Sequence, residues 1–206
     1  MYKLAFAVLL AAMCARAAGW VNLVTKSLDA WEAVGDGLWH VMQDGTLVGQ
    51  RELRKAQHQA WLYTKADFGE FDLHLEYWLR HGGNSGVSIR DATRAKFAVA
   101  ANWDEKRTPA HNGYEIQIGS GGGGKFPSGS VYLFDSAKPG VQREGEWNSM
   151  DVEVRNDMIR VKLNGTPVSQ HAGDPARPKT GPIGLQLHDP QSFIMYRNIR
   201  VRRVGK

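Results

Sequence analysis

Cysteine is nearly missing from this chain: Cys14 is the single one in 206 residues. It sits in a stretch that reads as an export leader, with Lys3 as the positive end, an apolar run from Leu4 to Met13, and small residues at Ala15 and Ala17 for cleavage. Residues 1–17 are therefore expected to be removed, leaving a mature chain that starts near Ala18 in the periplasm or outside the cell. Once Cys14 is gone, disulfides, thiol nucleophiles and thiolate metal ligands are excluded, and stability must come from the core. Met13 stands where a lipoprotein leader would want a small residue, which argues against a lipid anchor.

Long apolar runs are also lacking. The leader's own run is too short to cross a bilayer as a helix, and no other stretch approaches that length, so no membrane span is expected. A strong charge excess is missing too. Losing Lys3 and Arg16 takes the basic count from 26 to 24 against 21 acidic residues, and the formal charge from +5 to +3. Arg200, Arg202 and Arg203 cluster on a terminal strand where alternation alone exposes some of them, so no nucleic-acid partner is expected. Helical periodicity is scarce as well, and neither a linker nor an internal repeat interrupts the chain.

What remains is a succession of short alternating segments separated by Gly and Asn turns. Glu70 to Arg80 is the longest, with Phe71, Leu73, Leu75, Tyr77 and Leu79 on one face and Asp72, His74, Glu76 and Trp78 on the other. Trp20 to Leu23, Leu38 to Met42, Thr46 to Val48, Ala60 to Thr64, Val87 to Asp91 and Gly113 to Ile118 follow the same rule. So do Val131 to Phe134, Asn148 to Arg155, Met158 to Leu163, Pro167 to Gln170, Gly181 to His188 and Phe193 to Val204. Asp44 and Gly45 predict a hairpin between two of them. The set predicts an all-β sandwich of two antiparallel sheets, one domain over residues 18–206. Ala92 to His111 is weakly periodic and reads as a long loop with at most one helical turn. Such an insertion beside a binding face often carries function.

Three strands place polar residues opposite the predicted core: Arg90, Glu115 with Gln117, and Gln186 with His188. If they share a sheet, these side chains line one surface. Glu115 and His188 are candidates for proton transfer, and Arg90 for stabilising an oxyanion or pairing with Glu115. Gln117 and Gln186 suit sugar hydroxyls, and Asn84 and Ser85 in the glycine turn before Val87 are further sugar contacts. Tyr132 and Trp147 are candidate stacking platforms, with Trp78 and Trp103 also near the surface. Glu115, His188 and Asp189 are ligand types for a divalent metal, although no metal-binding spacing is present. Gly119 to Lys125 is glycine-rich but lacks the spacing of a phosphate loop.

A paired-carboxylate glycosidase needs two acids across the scissile bond. Sandwich glucanases carry them as E-x-D-x-x-E on one strand, and here Gln117 occupies the second position. Glu76, Asp91, Asp104 or Asp189 would have to supply a partner from elsewhere.

In combination the segments resemble the 3-keto-disaccharide hydrolase domain family. The resemblance rests on Gly69 to Leu73 with Glu76, Gly82 to Gly86 with Arg90, Gly113 to Ile118, Gly145 to Asn148, Gly181 to His188, and Arg197 to Ile199, in that order. It implies a concanavalin A-like jelly roll, an exported bacterial protein, and cleavage of glycosides oxidised at the sugar's 3-position by C2 proton abstraction, elimination and hydration. A carbohydrate substrate and an upstream sugar 3-dehydrogenase follow from it. Glu115 and His188 would be base and acid in either order, with Arg90 on the enolate. Gly119 stands where the family usually has an acid. A lectin-like binding module and an ordinary glycosidase on unmodified glucans are the alternatives.

Overall fold

The computed structural model describes residues 19–52, 57–121 and 124–204. The leader expected at 1–17, and Gly122 and Gly123 of the glycine run, lie outside them. Among the described residues thirteen strands form two antiparallel sheets. The larger sheet runs β11 (Thr166–Ala172), β10 (Met158–Leu163), β9 (Trp147–Arg155), β6 (Phe71–Leu79), β13 (Phe193–Arg203), β4 (Leu47–Arg51), β3 (Gly37–Val41), with β1 (Val21–Asn22) also paired to β13. The smaller runs β2 (Trp31–Val34), β5 (Ala60–Thr64), β12 (Ile183–Leu187), β7 (Asn84–Ile89), β8 (Tyr114–Gly119).

Alternation makes the sandwich. Along β6 every second residue is buried, so Phe71, Leu73, Leu75, Tyr77 and Leu79 face Val87, Ile89, Tyr114, Ile116, Ile118, Ile183, Leu185 and Leu187 from the smaller sheet. Each such side chain contributes about 1.5–3 kcal/mol of burial against the entropy of ordering the chain. The Asp44–Gly45 hairpin forms as expected, with Gly45 at φ +86° and the Thr46 amide donating to Asp44 Oδ1 at 2.9 Å.

Three details differ from expectation. Val131 to Phe134 is a tight turn instead of a strand: Leu133 takes φ 74°, and Val131 alone bridges, to Ile116 and Asp135. Trp31 to Val34, which lies beyond the leading strand expected at Trp20 to Leu23, forms a second strand at the edge beside β5. The strand after the glycine turn begins earlier, at Asn84, and stops before Arg90, whose φ of 60° breaks the alternation.

The smaller sheet also uses its outward face. There Trp61 and Tyr63 of β5 are wholly buried beneath Ala95 and Ala98 of the 92–112 segment, which lies across the sheet as a roof. It holds two short 3-10 turns, Ala100–Asn102 and Glu105–Arg107, and one helical turn, α1 (Pro109–Asn112). Asp91, fully buried, starts the roof by accepting from the Thr93 amide and hydroxyl, the Ala95 amide and the Tyr63 hydroxyl. Asp91→Ala strands those donors, so unfolding by urea is expected to show a loss of roughly 3–5 kcal/mol.

Candidate active site

Between this roof and the outward face of the smaller sheet lies a cavity of about 180 Å³. Its floor is β8. Because Tyr114, Ile116 and Ile118 fill the core, Glu115 and Gln117 must face the other way, into the cavity. Gln117 Nε2 donates to Asn84 Oδ1 at 2.9 Å, which fixes both amides and leaves Gln117 Oε1 and Asn84 Nδ2 without partners among the described residues. Gln59, His188 and Trp103 line the cavity from the ends of β5 and β12 and from the roof. The roof adds Glu105 and His111, and the turn after the glycine run adds Tyr132.

Glu115 is 5% exposed, and burial pushes its pKa up to about 8. The Gln186 amide beside it offsets part of that rise, although neither of its polar atoms makes a hydrogen bond of good geometry. Ser88, paired across the ladder with Glu115, is likewise buried, its hydroxyl beside that of Tyr63 without a hydrogen bond of good geometry. The carboxyl lies over Gly86, where a Cβ would stand 2.7 Å from Glu115 Oε1. At neutral pH Glu115 therefore carries its proton.

Both histidines are shifted the other way. His111 is depressed by burial, with Arg177 adding to the shift and Asp104 and Glu105 opposing it. Its Nδ1 is tied to Thr108 Oγ1 at 2.9 Å, leaving Nε2 unpartnered among the described residues. His188 stands exposed at the cavity mouth, and partial desolvation by the surrounding wall holds its pKa down, opposed by Asp189 and reinforced by Arg51. A carboxyl raised above its ordinary range and two imidazoles held below theirs thus face one cavity, an arrangement chemically able to give and take protons near neutral pH.

Residues 19–202 match the 3-keto-alpha-glucoside-1,2-lyase-like domain. The chain belongs to that family. A proposed glycosyl hydrolase from Parabacteroides distasonis ATCC 8503 is 26% identical, with a TM-score of 0.69 over 90% of this chain and 100% of that one. A second from the same organism is 19% identical, with a TM-score of 0.70 over 91% and 94%. The carbohydrate binding module CBM66 from Bacillus subtilis shares the fold at 15% identity, TM-score 0.58, over 84% and 95%. None of the curated proteins compared with the chain matches it. The family places the chain among carbohydrate-acting, hydrolase-like domains on a lectin-type jelly roll.

Within this lyase-like domain, Glu115, Gln117, Asn84, Tyr132 and His188 do meet at one cavity. Four other expected site residues do not. Arg90 is 2% exposed and turned away by its positive φ, donating to Asp157 Oδ1 at 2.9 Å and the Gly69 carbonyl at 3.0 Å. It is bound to the turn between β9 and β10 and cannot reach an oxyanion in the cavity. Ser85 points into the core, where its hydroxyl donates to the Gln186 carbonyl at 2.7 Å and meets Tyr196 Oη at 2.9 Å. Gln186 faces the right side but is wholly buried behind Glu115, so it supports the acid and does not read sugar. Trp147 belongs to the larger sheet's outer face, under the Arg197 guanidinium at 4.2 Å.

Among the described residues no group of three His, Cys, Asp or Glu is placed to hold a metal ion, and Glu115, His188 and Asp189 do not form one. No helix among them is long and apolar enough to cross a membrane. Gly119 continues the cavity face two residues beyond Gln117, and a Cβ there would meet Gln117 Nε2 at 3.1 Å. An acid at that position would press on the Gln117–Asn84 pair.

His111, Gln59 and Glu105 were not anticipated. His111 had one available signal: Thr108–Pro109 is a helix start, and two residues later its own first turn holds the imidazole against the Thr108 hydroxyl.

Proposed function

We propose that this protein is an exported enzyme that cleaves 3-keto-glycosides by elimination and then hydrates the product. The observation that carries the reading is a single neutral carboxylic acid at the cavity floor, Glu115, with a neutral histidine at the mouth. A ketone at C3 acidifies the C2 proton, so one weak base suffices to remove it. His188 takes that proton; the electrons move toward the C3 oxygen and return to form the C1–C2 double bond as the C1–O bond breaks. Glu115 gives its proton to the departing oxygen.

Hydration runs through the same two groups in reverse. The Glu115 carboxylate accepts a proton from water as its oxygen adds to C1, and the imidazolium of His188 returns the other proton to C2. Both residues end as they began. Asn84 Nδ2 and the Tyr132 hydroxyl replace Arg90 as donors to the enolate oxygen, and Gln117 Oε1 accepts from a sugar hydroxyl. A sugar 3-dehydrogenase acting beforehand would supply the ketone.

Ordinary glycosidase chemistry suits the site less well, because its second acid position is Gln117 and Glu105 stands exposed at the rim. Incubation with matched 3-keto and unmodified glucosides is expected to release aglycone from the keto series alone. Release from both would reassign the protein to ordinary hydrolysis, and retention without release would make it a binding module.

A further inference from the structure

At the cavity mouth stands one large apolar side chain that the chemistry above leaves unused. Trp103 is 39% exposed, so part of its indole is open to solvent at the mouth. It is not loosely hung. His58 stacks on it with ring centroids 4.3 Å apart and planes 12° from parallel.

His58 is itself fixed by its bridge to Val99 and by Arg51, whose guanidinium takes the Gln57 and His58 carbonyls and reaches the His188 carbonyl at 3.4 Å. On the roof side, the Gln59 amide donates to the Ala98 carbonyl at 3.1 Å and the Asp104 amide to the Phe97 carbonyl at 2.9 Å. Trp103 lines the cavity and His58 does not, so the imidazole backs one face and the rest of the indole is left to whatever fills the mouth.

The cavity volume of about 180 Å³ accommodates roughly one sugar ring. With the reacting ring over buried Glu115, the group joined to C1 must leave through the mouth, past the exposed Trp103. We propose that Trp103, backed by His58, is a stacking platform for the leaving group, and that the protein selects glycosides whose aglycone presents a flat face. Two sources share that chemistry: an aromatic aglycone, and a second sugar stacking its C–H face on the indole. A small alkyl aglycone offers no face to stack. This inference rests on the 3-keto-glycoside reading for its turnover arm alone.

The test compares 3-keto-glucosides carrying methyl, phenyl and glucosyl leaving groups on wild type, Trp103→Ala, Trp103→Phe and His58→Ala. For Trp103→Ala the loss in kcat/KM on the phenyl or glucosyl substrate is expected to exceed the loss on the methyl substrate by roughly fivefold, carried mostly by KM. Trp103→Phe is expected to restore most of that difference, and His58→Ala to lose part of it. The substrate showing the difference identifies the source, aromatic or sugar. Equal losses on all three substrates would make Trp103 a structural residue and overturn the proposal.

Calorimetric titration of unmodified methyl, phenyl and glucosyl glucosides separates the two readings. If no 3-keto substrate is turned over but the flat-faced glucosides bind wild type more tightly than Trp103→Ala, the platform stands and the chemistry falls. If neither flat-faced glucoside gains affinity over the methyl one, the platform falls.

Discussion

Glu115→Gln is expected to raise stability at pH 9 while removing turnover. In the folded protein the carboxyl is held protonated up to about pH 8, against 4.5 when it is solvated. A raised folded pKa contributes stability that is complete below pH 4.5 and is lost as pH rises through about 8. Above that, the fold must hold a buried carboxylate beside a Gln186 amide that is poorly aligned to it.

At about 1.4 kcal/mol per pKa unit the penalty at pH 9 is about 5 kcal/mol as an upper bound. Glutamine keeps the shape of the neutral acid and never ionises. Urea unfolding at pH 5, 7 and 9 should therefore show the variant and wild type nearly equal at the first pH and separating in the variant's favour toward the last. An offset independent of pH would mean that the carboxyl is solvated.

The same substitution removes the proton donor, so kcat on a 3-keto-glucoside should fall by roughly 10²–10⁴. In wild type, kcat/KM should decline above about pH 8 as Glu115 ionises. It should also decline on the acid side, below the ordinary histidine range, as His188 takes a proton.

Gly86→Ala should be nearly as damaging to turnover, with the opposite character: little change in stability. Gly86 does not use the left-handed region, so alanine fits its backbone. The new methyl group would lie 2.7 Å from Glu115 Oε1, 3.0 Å from Cγ and 3.1 Å from Cδ. All three atoms belong to a side chain that can swing, so the acid moves and the sheet does not. A shift of about 1 Å costs on the order of a hundredfold in rate.

Gly184→Ala is the control. Its Cβ would meet the Tyr63 ring at 2.4 Å, and that ring is wholly buried under the roof with its hydroxyl bound to Asp91. Here stability should fall by roughly 1–3 kcal/mol. Melting curves and keto-glucoside assays on the two variants, run together, would expose a common mechanism if both lost stability equally.

These contrasts mark what a one-dimensional reading can see. Alternation assigns the faces of β6 and β8, so it puts Glu115 and Gln117 on one side together. His188 and Asn84 joined them because the ladders bring the ends of neighbouring strands side by side. Arg90 escaped because a single positive φ at a strand end reverses a side chain without changing the residue pattern, and its true partner, Asp157, is 67 positions away. Gln186 shows another limit, because alternation gives its face but not its depth, whereas Ser85 shares the core face with Val87 and Ile89 once the strand is seen to begin at Asn84. His111, Glu105 and Gln59 come from a roof and its hinge, where no period exists to read.

The roof is one continuous stretch, fastened at its front by Asp91, at its middle by the Gln59 amide on Ala98, and at its rear by Arg177 on the Ala110 and Gly113 carbonyls. It supplies Trp103, Glu105 and His111, while the sheet supplies Glu115, Gln117, Asn84 and His188. On the proposed reading, the platform for the leaving group and the proton-transfer pair Glu115 and His188 thus come from separate passages of the chain. Exchanging the segment of some twenty residues between its fastenings is then expected to change the choice of leaving group while the floor stays as it is.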